Sequence, residues 1–144
     1  YARELARHFP DQVRQVITLG SPFAAGRRGT SIAWVYERVT GRPIDAREAA
    51  RTIPPPPVRS TAIYSRGDGV CHWRGCRELP APRTENIEVH GSHGGLGHNP
   101  AVLLAVVDRL LQDPSAWRPF RPRGLQAWMY PEHRPRRLKV AKGD

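Results

Sequence analysis

Cysteine is scarce in this chain, and so are long apolar runs. Two cysteines in 144 residues, Cys71 and Cys76, are too few to act as a disulfide framework. No stretch reaches the roughly 18 consecutive apolar residues that a membrane-spanning helix needs. No basic-then-apolar leader closed by small residues is present either. The chain begins at Tyr1, and Tyr1-Ala2-Arg3-Glu4-Leu5-Ala6 reads as helix interior with no capping residue before it. The start therefore looks cut, and a missing leader says nothing about export; a soluble, cytoplasmic chain is the default expectation. Acidic residues are few, 13 against 23 basic ones, for a net charge of +10. Much of that excess sits in residues 114–144, where eight basic residues face two acidic ones.

What is present is the material of one small, loop-rich domain: 39% hydrophobic residues, 25% charged, 15 prolines and 13 glycines. Tyr1, Ala2, Leu5, Ala6 and Phe9 recur at helical spacing, with Arg3, Glu4 and Arg7 opposite, until Pro10 closes the pattern. Val13, Val16, Ile17 and Leu19 then form a nearly continuous apolar run ending at Gly20-Ser21-Pro22, as a strand buried on both faces would. Residues 24–57 are irregular and read as an insertion, with helices predicted over 30–39 and 45–51 and an extended run from Pro54 to Pro57. Strands are predicted at about 59–65 and 86–90, and a helix at 99–112, opened by Asn99-Pro100. That last helix carries a wide apolar stripe of Ala101, Leu103, Leu104, Val106, Val107, Leu110 and Leu111. Helix and buried strand in alternation imply an α/β fold with a parallel sheet.

In an open parallel sheet, ligands and catalytic groups gather at the carboxyl ends of the strands, where the loops face one crevice. Two chemistry-bearing residues fall there. Asp68 follows the second strand within Ser65-Arg66-Gly67-Asp68-Gly69, and His93 follows the third within Gly91-Ser92-His93-Gly94-Gly95. A histidine that relays a proton needs a carboxylate to fix its tautomer and stabilise its cation, and this order of acid then histidine meets that need. Read singly, Asp68 is a turn residue that caps nearby amides, and His93 is part of a flexible glycine loop. His98 is the rival imidazole, while His72 and His90 are expected to face solvent or pack locally.

Tyr64 to Val70, then Asn86 to Leu96, then a helix opened by Asn-Pro, resembles the end of the lipase and esterase branch of the α/β-hydrolase fold. Tyr1 to Phe9 is similar to the helix after that family's nucleophile elbow, and Val16 to Phe23 to the strand and loop that follow. The resemblance covers residues 1–112; residues 24–57 take the place of the variable cap, and residues 113–144 are unmatched. It implies a partial α/β-hydrolase domain over 1–113, with Asp68 and His93 as catalytic acid and histidine, acting on carboxylic esters or lipids without cofactor or metal. Gly91 is one residue too close to match the family's Gly-x-x-His-x-x-Leu in full. The larger departure is the serine: no Gly-x-Ser-x-Gly elbow is present, and neither Ser21 nor Ser92 is the middle residue of one. The resemblance therefore implies an inactive part of a longer enzyme, with one sheet edge open to association.

Two other readings compete. One is a non-catalytic basic module whose tail binds nucleic acid or another acidic partner: the basic segment, with Trp117, Phe120, Trp128 and Tyr130, has cations for phosphates and rings for stacking. It matches no known nucleic-acid module, and its five prolines favour an extended, solvated segment, so nucleic acid is not the expected partner. Zinc would draw on Cys71, Cys76, His72, His90, His93 and His98, and the four-residue gap between the cysteines is permitted, but among the histidines only His93 and His98 have finger-like spacing; a disulfide or two free thiols is the simpler expectation. The glycine-rich stretch 91–97 lacks the G-x-G-x-x-G pattern of a phosphate cradle.

Overall fold

The computed structural model describes residues 1–24 and 53–133. Helices predicted over 30–39 and 45–51 lie outside the described residues, as does most of the cap-like insertion. The rest is an α/β arrangement: helix α1 (Ala2–His8), strand β1 (Gln15–Leu19), strand β2 (Arg59–Tyr64), strand β3 (Thr84–Glu88) and helix α2 (Pro100–Leu111). The three strands form one parallel sheet in the order β1-β2-β3. Gln15 pairs with Arg59, and Ser60 pairs with Thr84, so all three strands end at the same rim.

Alternation along the strands decides which helix packs where, because successive side chains point to opposite faces. Ile17 and Leu19 join Ile63 and Ile87 in the cluster that packs against Ala101, Val102 and Ala105 of α2. Val16 turns the other way and packs with Ala6 of α1 and with Val58. The sheet therefore carries a helix on each face, which is why its strands read as continuous apolar runs. No helix among the described residues is long and apolar enough to cross a membrane.

Three features differ from the sequence expectation, each for a physical reason. Strand β3 begins at Thr84, earlier than its apolar run, because the charge at Glu85 is neutralised in place. One Glu85 oxygen accepts from Arg109 Nη1 at 3.0 Å and from Thr61 Oγ1 at 2.8 Å, and the other accepts from the Phe120 amide at 2.6 Å. Helix α2 buries its small side, Ala101, Val102 and Ala105, while Leu103, Val107, Leu110 and Leu111 are half exposed or more. The small residues let the helix lie close to the strands. The leucine face is left uncovered among the described residues.

The third difference is the proline-rich segment after Asp113, which is largely exposed but anchored to the domain at Phe120 and Tyr130. Phe120 and Tyr130 are buried and meet edge to face, with ring centroids 4.8 Å apart. The Tyr130 hydroxyl donates to the Ala101 carbonyl at 2.7 Å, and the Tyr64 hydroxyl donates to Glu132 at 2.8 Å. Tyr130 thus joins the cluster that holds Ile63, Ile87 and the buried side of α2. Truncating a buried aromatic costs about 3–5 kcal/mol. Phe120→Ala is expected to lower stability by that order in urea unfolding, whereas a solvated tail would show no change.

Candidate active site

The loops that leave the three strands converge at the shared rim, and hydrogen bonds fix how. The Gly20 amide donates to the Ile63 carbonyl and the Val89 amide to the Tyr64 carbonyl, each at 2.9 Å, so pairing runs past the strand ends. Ser65, buried at the end of β2, donates from Oγ to the Gly91 carbonyl at 2.6 Å and accepts from the Gly67 amide at 3.0 Å. That hydroxyl ties the loop carrying Asp68 to the loop carrying His93. Asn99 closes the histidine loop from the far side, capping α2 through the Ala101 amide at 2.9 Å and donating to the His90 carbonyl at 2.5 Å.

Within this frame the Asp68 carboxylate and the His93 ring meet, with Oδ2 and Nδ1 2.7 Å apart. The other carboxylate oxygen, Oδ1, accepts from the Val70 and Cys71 amides, both at 2.8 Å. Both oxygens are committed, one to the backbone and one to the ring. The Asp68 side chain is 1% exposed and the His93 side chain 35%, so the acid is sealed while the imidazole keeps one side open. Burial pushes the Asp68 carboxyl upward, but the Cys71 amide, the His93 ring and the Val70 amide outweigh it and hold the group below its ordinary value. With Nδ1 occupied by the carboxylate, Nε2 is the nitrogen left to exchange a proton with a substrate or nucleophile.

Gly20 is the third participant, and sequence reading passed over it. Its φ is +55°, a left-handed conformation that a side chain strains. A Cβ placed there would sit 2.8 Å from Leu96 Cδ1, 3.0 Å from Asp68 Oδ2 and 3.2 Å from His93 Nδ1. The backbone after β1 is thus pressed against the hydrogen bond itself. Its signal was the Gly20-Ser21-Pro22 break, legible as a strand end but not as a floor for the pair. Leu96 matters for the same reason: it is 2% exposed and wedges the histidine loop onto the sheet.

The remaining candidates are elsewhere. His72, His90 and His98 are exposed, and the His72 ring accepts from the Arg74 amide at 3.4 Å. Asp68, Cys71 and His93 do offer ligand atoms within 4.8 Å of one another. A cation there would have to take the place of the Asp68–His93 hydrogen bond, since the second carboxylate oxygen is already held by two amides. No protein-family model matches the chain, and neither a curated protein nor a solved structure does.

Two outcomes follow from this geometry. Gly20→Ala should cost at least about 1–2 kcal/mol from the left-handed backbone alone, measured by urea unfolding, with a further loss from the clash; an unchanged midpoint would contradict the packing. Because folding lowers the Asp68 pKa, its contribution is full above the ordinary carboxylate value near pH 4 and is lost as pH falls through the folded value. Asp68→Asn should therefore be less stable than the parent chain at neutral pH and should lose less stability on acidification, as read by thermal melts from pH 7 to pH 2.

Proposed function

We propose that this chain is the acid-and-histidine part of a serine hydrolase of the α/β-hydrolase fold, acting on carboxylic esters, lipid esters among them. The observation that carries the reading is the sealed Asp68 carboxylate hydrogen-bonded to His93 Nδ1 at the carboxyl rim of a parallel sheet. In the complete enzyme a serine on an elbow turn attacks the acyl carbon, and His93 Nε2 takes its proton and then delivers it to the leaving alkoxide. Asp68 holds the ring in the tautomer that makes this possible and stabilises the imidazolium between the two transfers.

Two surfaces support a larger parent fold. Strand β1 has a pairing partner on one side only among the described residues. The leucine face of α2 is an apolar stripe of the kind that neighbouring elements cover. Beside β1, a cavity of about 400 Å³ is lined by Tyr1, Arg3 and Glu4 of the first helical segment and by Thr18, Ser21 and Phe23. The resemblance puts the serine elbow immediately before that helix, so the cavity adjoins the region where the reacting group belongs. The rival reading, a basic segment that binds nucleic acid, is weakened because two of its four aromatics, Phe120 and Tyr130, are buried.

The 144-residue chain alone should not turn over p-nitrophenyl esters. Expressed together with the coding sequence that precedes it in frame, it should do so, and Asp68→Asn or His93→Ala should each reduce kcat by roughly 10⁴-fold. Turnover by the isolated chain that depends on His93 would overturn the requirement for a separate serine. An active longer protein indifferent to both substitutions would overturn the reading itself.

A further inference from the structure

Cys71 and Cys76 are the chain's only cysteines, and both lie in the loop that carries the acid. They are 2% and 1% exposed and share one buried cluster with Tyr64. Both are free thiols in this structure; the 3-10 turn Trp73–Cys76 returns the second cysteine to the cluster that holds the first, and the Cys76 thiol donates to the His72 carbonyl at 3.7 Å. Around them the turn is braced. The Trp73 ring stacks on Tyr64 with centroids 5.9 Å apart, the Gly75 amide donates to the His72 carbonyl at 2.9 Å, and the Gly75 carbonyl accepts from the Ala24 amide at 2.8 Å. A mobile loop would not keep two thiols in one buried cluster; this one does.

We propose that Cys71 and Cys76 are a cross-linking site, closed to an intrachain disulfide by a small disulfide oxidant, and that the bond fastens the loop that holds the Asp68 carboxylate. The connection to the acid is direct, because the Cys71 amide is one of the two donors to Asp68 Oδ1. In the chemistry, one cysteine thiolate attacks the oxidant's S–S bond and expels a thiolate, giving a mixed disulfide. The second cysteine thiolate attacks the protein sulfur of that mixed disulfide and expels the other half of the oxidant. One S–S bond forms and one breaks, two electrons pass to the oxidant, and the two protons end on its two thiols.

Burial raises both thiol pKa values, that of Cys76 to about 12. In the folded chain the pair is therefore inert, and closure belongs to folding, when the loop is open and water reaches the sulfurs. The inference stands on the placement of the two thiols and does not require the hydrolase reading.

The test is to refold the 144-residue chain in a mixture of oxidised and reduced glutathione, unfold it in denaturant with iodoacetamide to block free thiols, and digest with trypsin without reduction. Cleavage after Arg66, Arg74 and Arg77 places the cysteines on separate peptides, 67–74 and 75–77. The expected result is those two peptides joined, with a mass 2 Da below their sum and separated by reductant. The oxidised chain should also melt roughly 5–10 °C higher than the reduced one, and its Cys71 amide should exchange with deuterium more slowly. Cys76→Ser, which keeps a small polar group in the turn, should give no joined peptides and no melting increment in the oxidising mixture. Recovery of both wild-type cysteines alkylated, or only as separate glutathione adducts, would overturn the proposal whether or not the longer protein is a hydrolase.

Discussion

One hydrogen bond, from the His93 imidazole to the Asp68 carboxylate, orders this molecule, and most of the rim is arranged to hold it. A carboxylate with almost no solvent contact is costly unless its lone pairs are taken, and here all of its partners are protein groups. Two amides take one oxygen and the ring takes the other. The parallel register brings the three carboxyl-end loops to one level, Ser65 couples two of them, and Gly20 supplies a surface with no side chain on which the pair can rest. Removing any of these would loosen the geometry without touching either titrating group.

The same logic of filled lone pairs runs through the face of the sheet that α2 covers. Glu85 sits mid-strand in a buried environment and is matched by Arg109, Thr61 and the Phe120 amide, so the segment after Asp113 is tied to a charge in the sheet. A buried ion pair of this kind contributes little net stability, yet losing one partner strands the other. Tyr130 adds its buried ring to the cluster between α2 and the sheet. The segment that composition marked as solvated is held by one carboxylate and two aromatic rings.

Much of this was legible in the sequence, for reasons that can be stated residue by residue. The α/β class followed from apolar runs that stop at Gly20 and Ser65. Asp68 and His93 were singled out because each follows a strand end, a position that requires no knowledge of side-chain direction. What could not be read depended on contacts between distant residues. Nothing in Gly20-Ser21-Pro22 says that the glycine will face His93, and nothing in Thr84-Glu85 says that a guanidinium 24 residues away will make a charged residue acceptable in a strand. The α2 stripe misled because leucines dominate any count of hydrophobicity, whereas close approach to a sheet selects alanine and valine. Proline content misled in the same way, since it describes backbone stiffness and not the fate of Phe120 and Tyr130.

The proposed chemistry comes down to the tautomer of one ring. If Asp68 orients His93 for proton transfer, the proton of the neutral imidazole resides on Nδ1, and Nε2 carries the lone pair. Nitrogen-15 and proton NMR of the chain with labelled histidine reads this directly. For the neutral ring the account predicts a His93 Nδ1–H resonance shifted downfield by the carboxylate and an unprotonated Nε2, with loss of that downfield signal in Asp68→Asn. A neutral His93 protonated on Nε2, or a spectrum that the Asp68 substitution leaves unchanged, would contradict it.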